Sequence, residues 1–89
     1  MAEVRAGVDA IDRAIGELLV TRFGYMRAAA RIKPDRGLVR DEDRKAQVIA
    51  NAAAQAQLLG YPPEAAAAMW ETLVEASIAY ELDAYDARS

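Results

Sequence analysis

From Val4 to Ile32 the apolar residues fall at Val4, Val8, Ile11, Ile15, Leu18, Met26 and Ala29. Steps of three or four residues put these side chains on one helical stripe. The spacing predicts a first helix over about residues 3–33, which Pro34 cannot continue. Pro34-Asp35-Arg36-Gly37 reads as a polar turn. Asp41 then stands as an N-cap or first-turn acid, and Glu42 and Asp43 suit the positive end of a second helix. That helix runs to about Leu59, where Gly60 fits the C′ position and Pro62-Pro63 enforces a break. A third helix follows from about Pro63 to Asp86. The predicted architecture is all-α, one long helix and two shorter ones, in a single domain over residues 1–89.

The lengths do not match. At 1.5 Å per residue the first helix spans about 45 Å and the others about 27 and 35 Å. Two short helices cannot cover the long one within a compact monomer, so a second copy is expected to supply the cover in an intertwined two-fold homodimer. A monomeric bundle with a frayed or kinked first helix is the alternative.

Two cations break the apolar stripe. Arg22 and Lys33 lie on its middle, about three turns apart, and a cation on a buried face is costly unless an anion meets it. On the second helix Asp41, Arg44, Val48, Ala52 and Leu59 share a side. On the third, Ala66, Trp70, Leu73, Ser77 and Glu81 line up. Arg22, Lys33, Arg44, Ser77 and Glu81 are thus offered to a common interior, while Arg5, at the edge of the stripe, could reach a pocket in a partner subunit. An internal ion-pair network with Glu81 neutralising one cation is the simpler reading. One carboxylate cannot balance three or four cations, however, and a small dianionic ligand would complete the accounting. Arg13, Arg27 and Arg31 read as solvated, Tyr80 and Tyr85 as covering core edges, and Trp70 as core. The Arg36/Arg40/Arg44/Lys45 cluster could bind phosphate, but no Gly-rich cradle accompanies it.

Composition narrows the chemistry. The 89 residues include no cysteine and no histidine, which removes a thiolate nucleophile, the usual general base and the commonest metal ligands. Carboxylates, cations, hydroxyls and amides remain. A net charge of −3 argues against nucleic-acid binding, although eight of the eleven Lys and Arg residues crowd between Arg22 and Lys45. No apolar run approaches a membrane span, and the Met-Ala-Glu start lacks the regions of a signal peptide. A cytoplasmic setting is expected.

Val8-Asp9-Ala10-Ile11-Asp12 through Arg22, then Lys33, then Val39-Arg40-Asp41-Glu42-Asp43-Arg44, then Ser77 and Glu81 resemble the all-helical chorismate mutases (type II). The related isochorismate-pyruvate lyases share the fold and much of this pattern. The resemblance implies an intertwined homodimer with two identical sites, no cofactor and no metal, acting on a small dianionic substrate in aromatic amino acid biosynthesis. It implies that Arg5 crosses into the other subunit's site and clamps the substrate carboxylates together with Arg22. Lys33 would bind the bridging ether oxygen and a carboxylate, and Asp41 would meet the ring hydroxyl mainly through its backbone. Arg44 would position the carboxylate region, Ser77 would support a carboxylate, and Glu81 would make the second ether contact. Arg22, Lys33 and Glu81 are the residues expected to act on the reacting atoms.

Two positions depart from that pattern. Simple bacterial mutases usually carry Glu where this chain has Lys45, and Gln where it has Glu81, as fungal members do. The short turn at Pro34–Leu38 and the Tyr25-Met26-Arg27-Ala28-Ala29 segment look closer to the lyases, whereas Asp41 and Ser77 look closer to the mutases. Mutase is the favoured reading. The alternatives are an isochorismate-pyruvate lyase, an aminodeoxychorismate mutase, and, outside the family, a non-catalytic helical dimerisation module.

Overall fold

The computed structural model describes residues 1–88. They form three α-helices with no strand: α1 (Ala2–Ile32), α2 (Glu42–Leu59) and α3 (Pro63–Ala87), with one 3₁₀ turn (Arg36–Leu38) between α1 and α2. The boundaries follow local chemistry. Lys33, just before Pro34, takes an extended conformation and ends α1. The Asp35 side chain accepts from the Gly37 amide at 2.8 Å and shapes the turn. Asp41 caps α2 by accepting from the Arg44 amide at 3.0 Å. Gly60 closes α2 in the left-handed region (φ 94°), where a side chain would be strained, and its amide bonds the Ala56 carbonyl at 2.8 Å.

Helix α3 packs against both α1 and α2. Near Gly60 the α2–α3 contact is a seam of small residues, Ala52, Ala56 and Ala66, flanked by Tyr61 and the half-buried Trp70. Toward the other end Val48 of α2, with Val39 of the connection, meets the branched side chains Val74, Ile78 and Leu82 of α3. The expected apolar side of α2 needs one correction. Leu59 is exposed, and Ala56, one turn after Ala52, is the residue that faces α3. The helix ends at Leu59, so its side chain projects past the seam.

The first half of α1 is largely uncovered, and at its end Ile15 and Leu18 border a groove shared with Met69, Trp70 and Leu73 of α3. Val4, Val8, Ile11, Ile15 and Leu18 are 50–71% exposed. The radius of gyration is 15.5 Å, against about 12 Å for a compact domain of this length. Only the last part of the predicted stripe, including Met26 and Ala29, is covered within the chain. Among the described residues no helix is long and apolar enough to cross a membrane.

Candidate active site

Each helix delivers polar groups to one cavity of about 360 Å³. From α1 come Arg22, Met26 and Ala29, spaced by four and three residues, and Lys33 follows four residues later at its cap. From α3 come Val74, Ser77, Ile78 and Glu81. Asp41, Arg44, Lys45 and Val48 close the third side, and Leu38 and Val39 of the connection complete the wall. Six of the seven residues singled out from the sequence therefore line the same space. Arg5 does not; it is exposed on the first turns of α1, about 25 Å along the helix from Arg22.

The pairing within the cavity is uneven. Lys33 Nζ donates to Glu81 Oε2 at 2.6 Å, with the Glu81 side chain 6% exposed and that of Lys33 29%. Arg22 Nη1 donates to Ser77 Oγ at 2.5 Å, and the Ser77 hydroxyl donates onward to the Leu73 carbonyl at 2.7 Å. Arg44 Nη1 donates to Gln47 Oε1 at 2.6 Å. Among the described residues neither Arg22 nor Arg44 forms a salt bridge, so both cations meet neutral partners only. Burial, and after it the charge of Arg44, push the Arg22 guanidinium below its ordinary pKa. Two cations thus line one cavity, Arg22 half-buried and Arg44 exposed, neither paired with a carboxylate among the described residues.

The basic cluster read from the sequence is dispersed. Arg36 forks onto Asp86, Arg40 forks onto Glu75 and also reaches Glu42, and Lys45 meets Glu71 Oε1 at 2.7 Å and Glu75 Oε2 at 2.8 Å. Hydrogen bonds from Arg40 and then Lys45 hold the Glu75 carboxyl down at about 2. Only Arg44 of the four is left for a ligand, and the phosphate reading loses its basis. Lys45 contributes its stem to the wall while its ammonium is turned toward α3. Sequence reasoning passed over this arrangement. Its signal was present in Glu71 and Glu75, one turn apart on α3 and placed to hold a single lysine. Arg27 likewise is exposed as expected yet donates to the Tyr80 hydroxyl at 2.5 Å, and Tyr80 stands edge-on to Phe23 (4.9 Å). Among the described residues no group of three or more carboxylates is placed to hold a metal ion.

The chorismate mutase type II family profile matches residues 4–82, nearly the whole chain. The chain belongs to that family. No curated protein and no solved structure gives a match. The matched stretch includes every residue that lines the cavity where α1, α2 and α3 meet.

Proposed function

We propose that the protein is a chorismate mutase that converts chorismate to prephenate, the step toward aromatic amino acids. The observation that carries this reading is the pair Arg22 and Arg44, both lining one cavity with neutral partners, beside the Lys33–Glu81 ion pair. A substrate with two carboxylates supplies the missing negative charge. The reaction needs no nucleophile, base or cofactor: the ether C–O bond breaks as a C–C bond forms in one pericyclic step. Catalysis then consists of holding the compact diaxial conformer and placing cations where charge grows on the ether oxygen. In this reading Arg22 and Arg44 hold the carboxylates, and Ser77 orients Arg22. Lys33 spends one N–H on Glu81 and keeps the others for the ether oxygen and a carboxylate. The Asp41 backbone meets the ring hydroxyl.

The active form in this proposal is an intertwined homodimer. The exposed stripe Val4–Leu18 supports it, as does the position of Arg5 on the projecting half of α1, from which it would enter the partner's cavity. The second reading is the isochorismate-pyruvate lyase. It is favoured by Lys45, which leaves this wall without the carboxylate expected to hold a ring hydroxyl. Purified protein given chorismate and isochorismate separately separates the readings. Prephenate supports the mutase, salicylate with pyruvate supports the lyase, and no turnover of either leaves an aminodeoxychorismate mutase or a non-catalytic helical module.

A further inference from the structure

Pro34 ends α1 and leaves a deficit behind it. The Ala30 carbonyl would ordinarily accept from the amide four residues on, but residue 34 has no N–H. The Lys33 carbonyl is no better placed, because the extended backbone at Lys33 turns it out of the helical ladder. Arg88, one residue past the end of α3, supplies both. Its Nη1 donates to the Ala30 carbonyl at 3.0 Å and to the Lys33 carbonyl at 2.7 Å. The guanidinium lies over the Tyr85 ring, 3.8 Å from its centre, and its charge suits the negative end of α1. Two neighbours reinforce the grip. The Tyr85 hydroxyl donates to the Pro34 carbonyl at 3.4 Å, and Asp86 accepts both arms of Arg36 at 2.8 and 3.1 Å.

Lys33 is therefore held at both ends by the same region of the chain. Its ammonium is bound by Glu81 and its carbonyl by Arg88. We propose that Arg88, stacked on Tyr85 and seconded by the Asp86–Arg36 pair beside it, is a positioning residue that fixes Lys33 and the connection behind it, including the wall residues Leu38 and Val39. This rests on the reading above in one respect, that Lys33 meets the reacting atoms. The grip sets where the ammonium stands when the substrate arrives. It acts on geometry and adds no charge to the cavity.

The test uses Arg88→Ala, Arg88→Lys and Tyr85→Phe in the full chain. Steady-state kinetics, thermal unfolding and amide hydrogen exchange on the substrate-free protein are measured for each. Arg88→Ala is expected to lower kcat on the order of 10- to 100-fold, the scale of a misplacement near 1 Å. KM should stay nearly unchanged, since Arg22 and Arg44 are untouched. Exchange at the Lys33, Gly37, Leu38 and Val39 amides should rise while that of the α2–α3 core holds. Arg88→Lys, which can still donate to the carbonyls but cannot stack as a plane on Tyr85, should recover part of kcat, and Tyr85→Phe should show a weaker form of the same defect. Unchanged kcat with unchanged exchange overturns the proposal. So does a lowered unfolding temperature with full kcat per folded molecule, which would make Arg88 merely structural. If wild-type protein turns over neither chorismate nor isochorismate, the mutase and lyase readings fail, and exchange alone decides the grip: a rise confined to residues 33–39 upholds it, and no rise overturns it.

Discussion

Cutting the Lys33–Glu81 pair from its two ends should have unequal costs, because the two partners are not equally wet. Glu81 is 6% exposed, and Lys33→Met removes its ammonium while keeping an apolar stem of similar length. Stranding a buried charge costs about 3–5 kcal/mol, and the open cavity beside it reduces the expectation to about 2–4 kcal/mol. Lys33 is 29% exposed, so Glu81→Gln leaves an ammonium that water can reach and an amide oxygen that still accepts from it. That change should cost about 0–1 kcal/mol, as for an exposed pair. The double variant should recover most of the Lys33→Met loss, since neither group is then a stranded ion. Urea unfolding at neutral pH on the four proteins of the cycle measures all three differences. Equal costs from either end, or a double variant as unstable as the sum of the singles, would refute the reasoning. On activity, Lys33→Met should lose about 10- to 150-fold in kcat/KM, the equivalent of about 1.5–3 kcal/mol for a charge-assisted contact. Glu81→Gln separates two roles. A Glu81 that donated to the ether oxygen would have to be protonated, and the amide would then flatten the pH–rate profile. The acceptor geometry toward Lys33 predicts instead a lower rate at every pH with the shape of the profile kept.

Arg22→Ala should lose most of the activity at little cost in urea stability, because burial and Arg44 already disfavour its charge; a variant that unfolds yet keeps its activity per folded molecule would make Arg22 structural. Mixing Arg5→Ala subunits with Arg22→Ala subunits should restore one intact site per heterodimer, and a compact, active monomer in sedimentation would end the dimer reading. Glu75, held at about 2, and Asp86, held below the usual carboxylate range by Arg36, both have folded values below their unfolded ones. The stability they contribute is present above about pH 5 and is lost as pH falls from about 4 toward 2. The variant Glu75→Gln/Asp86→Asn should therefore show a lower melting temperature at neutral pH and a shallower acid slope, and an unaltered slope would exclude these pairs as its source.

Much of the fold was legible because its signals are local. Pro34, Asp41, Gly60 and Pro63 act on their own backbone, and the helix limits fell within about one residue of those expected. The shared cavity was legible because a cation on an apolar stripe violates burial unless something answers it. The pairings were harder to read. Nothing local distinguishes Lys45, which is drawn away to Glu71 and Glu75, from Arg44 beside it, which is left facing the cavity. That difference depends on which α3 side chains stand opposite, a relation over about thirty residues of sequence. Leu59 was misplaced for a related reason: helical period assigns a side, but not where the neighbouring helix ceases to follow it. Arg88 lies beyond the apolar pattern altogether, and its partners are backbone carbonyls, which carry no residue-specific mark.

The alanine seam between α2 and α3 bears on the cavity without touching it. Ala52, Ala56 and Ala66 are at most 4% exposed and pack together near Gly60. Helix axes approach according to the size of the side chains between them, so methyl groups at this end and branched side chains at the other set the pair as a wedge. Ala56 stands twelve residues from Arg44 on α2, about 18 Å along a rigid rod. Enlarging it would pivot that rod and move the Arg44 guanidinium relative to Arg22. The spacing of the two guanidinium groups is thus calibrated by the smallest side chains in the core, at the far end of the lever.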